Sequence, residues 1–129
     1  MQFPAGLKYT KDHEWAKINE TYVTVGITDY AQDKFGDIVF VELEEPGTQL
    51  KQGDKFGTVE SVKSVSDLFI PFSGKIIEIN KELLEHPEII NKEPFGRGWM
   101  IKISTGSIDH ELSNLLDTDA YEKYCKESD

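Results

Sequence analysis

Cysteine is nearly absent from this sequence of 129 residues: Cys125 stands alone, so no intramolecular disulfide and no thiolate metal cluster can form. The three histidines, His13, His86 and His110, are too far apart to place two imidazoles on one helical face, and a protein-built zinc site is not expected. Basic residues are in deficit. With 14 Lys plus Arg against 24 Asp plus Glu, the formal charge is −10, which argues against nucleic acid or anionic lipid as partners, since both are bound through clustered cations. Long apolar runs are missing as well. Val39-Phe40-Val41 and Leu68-Phe69-Ile70 fall far short of a membrane span or a signal-peptide core. A soluble, unsecreted chain in a reducing compartment is expected.

What is present reads as short strands broken by glycine. The runs 22–27, 37–43, 55–60, 65–70, 74–79 and 99–103 are rich in β-branched and aromatic residues with partial alternation. Turn signals separate them: Glu45-Pro46-Gly47, Gln52-Gly53-Asp54, Phe72-Ser73-Gly74 and Gly96-Arg97-Gly98. Such spacing predicts a mainly β fold, a sandwich or small barrel. Thr28 is placed to cap a helix ending at Phe35 before Gly36, and Asn80 to cap another over 81–85 before His86-Pro87. Beyond about residue 107, Leu112, Leu115 and Leu116, then Tyr121, Tyr124 and Cys125, recur at helical spacing. The expectation is one domain over 1–129, with a β core over about 8–103 and a helical appendage over about 107–127. Trp15, Trp99 and Cys125 read as core contacts, and Gly26, Gly36 and Gly74 as turns or close backbone approaches.

The stretch 57–67 carries the chemistry. Two strand-like runs meet at Lys63, and a lysine at a hairpin tip offers its amine on a rigid stalk to a modifying enzyme. Taken alone, such a lysine is more simply a solvated surface residue. The flanks change that reading, because they resemble the lipoyl and biotinyl carrier family. Within it, the H proteins of the glycine cleavage system are resembled along nearly the whole chain: Leu7-Lys8-Tyr9, His13-Glu14-Trp15, the run 25–32 from Val25 to Gln32, Phe35 before the run 36–43, Glu60-Ser61-Val62-Lys63, Ser73-Gly74 and 98–103. Several motifs in order form a far more specific signal than any one of them.

The resemblance implies a barrel-sandwich hybrid with short helices and a C-terminal helical appendage, whose Lys63 is joined in an amide to lipoic acid. It implies a non-catalytic carrier that takes an aminomethyl group from glycine decarboxylase (P protein) to the tetrahydrofolate-dependent aminomethyltransferase (T protein). Electrons then pass to dihydrolipoyl dehydrogenase (L protein), and a lipoate-attachment enzyme serves Lys63. A second duty, handing lipoyl groups to other lipoyl domains, is also within the family's range. Glu14 and Asp67 match positions associated with a cleft for the loaded arm, where carboxylates would attract a protonated amine; Asp12 stands where members often carry serine. As bare residues, both acids read more simply as surface carboxylates. Glu60 could be read by the attachment enzyme, or be a solvated strand glutamate. A monomer is expected, in a bacterial-type cytoplasm, or in the mitochondrial matrix if this is a processed form.

Three other functions compete. A biotin carrier usually flanks its lysine with methionine, where this chain has Val62 and Ser64. An enzyme with a Schiff-base lysine needs desolvation to lower the amine pKa, and a tip beside Ser61, Ser64 and Asp67 opposes that. A binding module without cofactor is separated from every lipoylated reading by intact mass.

Overall fold

The computed structural model describes residues 1–106 and 108–128. Among them, strands form two antiparallel sheets. One has six strands in the order β1 (Lys8–Tyr9), β2 (Glu14–Ile18), β3 (Val23–Ile27), β9 (Ile101–Ser104), β8 (Gly74–Ile79) and β5 (Gln49–Leu50). The other has three, β4 (Ile38–Leu43), β6 (Lys55–Ser61) and β7 (Val65–Phe69), with β6 at its centre. The mainly β expectation is met, in two unclosed sheets with short helices.

Alternation decides which side chains enter the core. In the three-stranded sheet Val41 stands opposite Val59, and both are buried. The next row, Phe40, Glu60 and Val65, is exposed. Val25, Ile27, Ile76, Ile101 and Ile103 of the larger sheet belong to the same apolar cluster as Val41, Val59 and Leu68. A second cluster gathers Tyr9, Trp15, Tyr30, Tyr121 and Cys125, with the Tyr9 and Tyr121 rings stacked at 4.4 Å. Trp15 and Cys125 are therefore core residues, and Trp99, half-buried, packs against the second cluster. Gly26 is a close approach within a strand: an added Cβ would stand 2.7 Å from the Trp15 ring.

Helix α1 (Asp29–Phe35) starts as its sequence predicts, with Thr28 Oγ1 accepting from Ala31 N–H at 3.1 Å and Gly36 closing it at φ +79°. Asn80 departs from expectation. Helix α2 (Glu82–Glu85) has no side-chain cap, because the Asn80 amide donates instead to the carbonyls of Arg97 and Trp99, each at 2.8 Å. Both carbonyls belong to a distant segment, so tertiary partners outcompete the local cap. Helix α3 (Ile89–Lys92) and strands β1, β2 and β5 go beyond the expected elements, and the last strand begins at Ile101 rather than 99. The C-terminal part is α4 (Ile108–Glu111), a 3₁₀ turn over Leu112–Asn114 and α5 (Thr118–Ser128). Residue 107, where the helical reading began, lies outside the described residues. Between the helices, Leu116 forms an antiparallel bridge to Tyr9, which breaks the helical run into two pieces. Among the described residues, no helix is long and apolar enough to cross a membrane.

Candidate functional site

The hairpin of β6 and β7 closes on a loop of three residues, Val62, Lys63 and Ser64. Ser61 holds it: its N–H donates to the Ser64 carbonyl at 2.8 Å, and its Oγ accepts from the N–H groups of Lys63 at 3.2 Å and Ser64 at 3.1 Å. A second tie runs from Val62 N–H to the Asp37 carbonyl at 3.2 Å. The backbone of the tip is thus satisfied while the Lys63 side chain stays exposed. Its stem lies over the end of α1, where a Cβ on Gly36 would come within 3.3 Å of Lys63 Cε. Glycine at 36 therefore serves two needs, the positive φ of the helix stop and clearance for the lysine.

The outward face of β7 carries Val65, Asp67 and Phe69 at every second residue. They form a line of about 13 Å from the tip, at ~3.3 Å per residue. Phe69 lines a cleft of about 320 Å³ whose walls come from three distant segments. Thr10, Asp12 and Glu14 enter from the turn between β1 and β2, Gln52 from the connection after β5, and Asn114 and Leu115 from the C-terminal part. The first turn is tight: His13 takes φ 71°, a left-handed conformation uncommon outside glycine but adopted by histidine, asparagine and aspartate more than by other residues. Its ring secures that conformation, with Nδ1 2.8 Å from Tyr121 Oη, which lies 2.7 Å from Thr28 Oγ1. Burial pushes the His13 pKa down, against the opposing charge of Asp12.

Glu14, the first residue of β2, is 1% exposed. Its carboxylate accepts from Thr10 Oγ1 at 2.5 Å and from Phe69 N–H at 3.2 Å, while Thr10 Oγ1 accepts from Glu14 N–H at 3.0 Å. Desolvation pushes its pKa up to about 7; the Thr10 and Phe69 hydrogen bonds oppose that rise, and Asp12 adds to it. The cleft thus holds a carboxyl group that exchanges its proton near neutrality. A cation brought into the cleft would draw it to the charged form.

The four sequence candidates do not share one place. Lys63 is at the tip, and Glu60 lies exposed on the outer face beside it, in the row with Phe40 and Val65. Glu14 is in the cleft. Asp67 stands between tip and cleft on β7, outside the cleft lining, with its carboxylate 3.2 Å from Lys55 Nζ and both side chains half exposed. Sequence reasoning missed Thr10, Gln52, Phe69, Asn114 and Leu115 as cleft residues. Only Thr10 had a local signal, as the residue facing Glu14 across a four-residue turn.

Residues 7–128 match the sequence model of the glycine cleavage H-protein family. Among curated proteins, a glycine cleavage system H protein of Symbiobacterium thermophilum is 52% identical over 124 residues, covering 96% of each chain. One from Staphylococcus epidermidis is 53% identical over 121 residues, covering 94% of this chain and 95% of its own. The crystal structure of a glycine cleavage system H protein from Mycobacterium marinum superposes with a TM-score of 0.85 at 36% identity, covering 97% of this chain and 98% of that one. Two such sheets, a lysine-tipped hairpin and a match along nearly the whole length agree with the resemblance read from the sequence, and the chain belongs to the glycine cleavage H-protein family.

Proposed function

We propose that residues 1–129 form a single, monomeric carrier domain without catalytic activity of its own, whose Lys63 Nζ bears lipoic acid in an amide. In this reading it takes an aminomethyl group from glycine decarboxylase to the aminomethyltransferase, then electrons to dihydrolipoyl dehydrogenase, in a bacterial-type cytoplasm. The observation that carries it is Lys63 at an exposed loop of three residues in a chain of this family. When bound, the lipoyl group supplies a dithiol and disulfide couple able to hold the one-carbon unit and return electrons by thiol–disulfide exchange. The chain supplies everything else.

Ser61 ties down the backbone of the tip, so that only the lysine stem remains to be ordered by an attachment enzyme, and Glu60 offers that enzyme an acidic contact beside it. Amide formation removes the lysine charge. The line Val65, Asp67, Phe69 leads from tip to cleft, a distance only a lengthened arm can cross. There Glu14, itself buried, faces the protonated amine of the cargo. The same exposure disfavours a Schiff-base enzyme, which needs a desolvated amine.

Incubation of the lipoylated protein with glycine and glycine decarboxylase should add the aminomethyl mass to the Lys63 peptide and to no other. A lipoyl mass on Lys51, Lys55 or Lys75 instead would overturn the assignment.

Asp67 should matter less than Glu14. Half exposed and paired with Lys55, it contributes at most ~1 kcal/mol to holding a cation, screened by salt. Asp67→Asn should quicken hydrolytic release of the aminomethyl group by about fivefold at most at low ionic strength, with the difference gone at high salt. A larger, salt-insensitive effect would place Asp67 in direct, desolvated contact with the cargo.

A further inference from the structure

The cleft wall contributed by Asn114 and Leu115 is a short segment held at two ends. Downstream, Leu116 and Tyr9 exchange backbone hydrogen bonds, Tyr9 N–H to Leu116 at 2.8 Å and Leu116 N–H to Tyr9 at 2.7 Å. Upstream, the anchor is built of side chains around one carboxylate. Glu111 accepts from Ser73 N–H at 2.7 Å and from Ser73 Oγ at 2.5 Å, so both of its oxygens are engaged by one residue of the turn before β8. Ser73 Oγ in turn accepts from Gln52 N–H at 2.8 Å. The Gln52 amide then spans the gap: Nε2 donates to the carbonyls of Pro71 at 2.9 Å and Glu111 at 3.2 Å, and Oε1 accepts from Asn114 Nδ2 at 2.9 Å. Ser73, Gln52, Glu111 and Asn114 thus form one connected clamp between the 50–54 turn, the 71–73 turn and the C-terminal segment.

We propose that Glu111 is a positioning residue of the cleft: by clamping Ser73 it holds Asn114 and Leu115 in the cleft wall, and so sets how well the loaded arm is kept from water. The inference rests on the cleft being the seat of the loaded arm. Its physical basis is the contrast between the two anchors. The backbone bridge at Leu116 survives any side-chain change. The upstream end depends on side chains throughout, the Glu111 carboxylate on Ser73 and the Gln52 amide on Asn114 and the Glu111 carbonyl, and the charge-assisted pair is the strongest of these ties. Between them lie only 112–115, four residues that lose their placement when one end is freed, although Leu112 and Leu115 keep some contact with the core. Glu111 does not line the cleft itself and acts through the wall.

Three measurements on Glu111→Ala and Ser73→Ala test this. Amide hydrogen exchange of the protein before loading should become about tenfold faster over 112–115. Exchange in β6 and β7 should stay as in the parent. Release of the aminomethyl group from the lipoylated, loaded protein should quicken by a similar factor. Ser73→Thr, which keeps the hydroxyl, should restore both. The double variant should be no worse than either single change, because both break one clamp. Faster exchange with unaltered release would show that the wall does not guard the arm, and unaltered exchange that Glu111 does not hold the wall; either overturns the proposal. The underlying reading fails separately, if the parent protein releases its cargo as fast as the aminomethyl adduct of free dihydrolipoamide.

Discussion

Lys63→Arg will yield a folded protein that takes up no lipoyl group and carries no aminomethyl group, with transfer from glycine falling to the background of the enzymes alone. Arginine preserves the charge and most of the length of the stem, so the tip keeps its electrostatics. Its guanidinium cannot be joined in the lipoyl amide. The fold should be indifferent. Lys63 is exposed, and the turn is held by Ser61 through main-chain bonds that the side chain at 63 does not enter. A surface change of this kind stays within about 0.5 kcal/mol, a shift in melting temperature of no more than a few degrees. Peptide mapping after treatment with a lipoate-attachment enzyme decides the matter. A lipoyl mass anywhere on the variant, or carrier activity above background, would refute Lys63 as the attachment site.

Glu14→Gln is expected to raise stability and lower retention together. Burial pushes the Glu14 pKa from near 4.5 to about 7, so between those values the folded chain holds a proton that the unfolded chain has lost. Stability therefore falls as pH rises through that window. The loss is complete above pH 7 and amounts to a few kcal/mol, on the order of 3 from a shift of this size. Glutamine is a neutral stand-in. Turned so that Nε2 donates to Thr10 Oγ1 and Oε1 accepts from Phe69 N–H, it reproduces the bonds of the protonated acid. The variant should melt several degrees above the parent at pH 8, the gain fading to nothing below about pH 4.5.

Retention should move the other way. A charge-assisted contact in a partly buried cleft is worth about 1.5–3 kcal/mol, so release of the aminomethyl group should quicken by roughly 10- to 100-fold at pH 8. The parent should itself lose hold of its cargo as acid protonates Glu14. Unchanged release with a raised melting temperature would leave Glu14 as a buried acid of no account to the arm. An unchanged melting temperature at pH 8 would contradict its burial. A carboxylate that costs stability at working pH and stays buried is what a binding residue, rather than a structural one, leads one to expect.

Local chemistry made much of the molecule legible. Thr28 caps α1 and Gly36 ends it because both devices act within four residues. The alternation in 38–43, 55–60 and 65–69 yields the paired strands on which Lys63 stands, and the turn at 61–64 is closed mainly by Ser61 acting within three residues. Asn80 shows the limit. Its amide could have capped the helix next to it, and the fold set the carbonyls of Arg97 and Trp99 within its reach instead.

By itself, the sequence determined the strand pattern, the lysine at the hairpin tip and, through its ordered motifs, the family. Tertiary structure alone decided how each acid is surrounded. Glu14 and Asp67 are equal as letters, yet one is 1% exposed with a pKa near 7 and the other is half in water beside Lys55. The reason is that strand and turn preferences depend on neighbours a few residues apart, whereas desolvation depends on everything packed around a group. For Glu14 that includes Phe69, 55 residues away, and a cleft wall near residue 114. No local reading of 10–18 contains either.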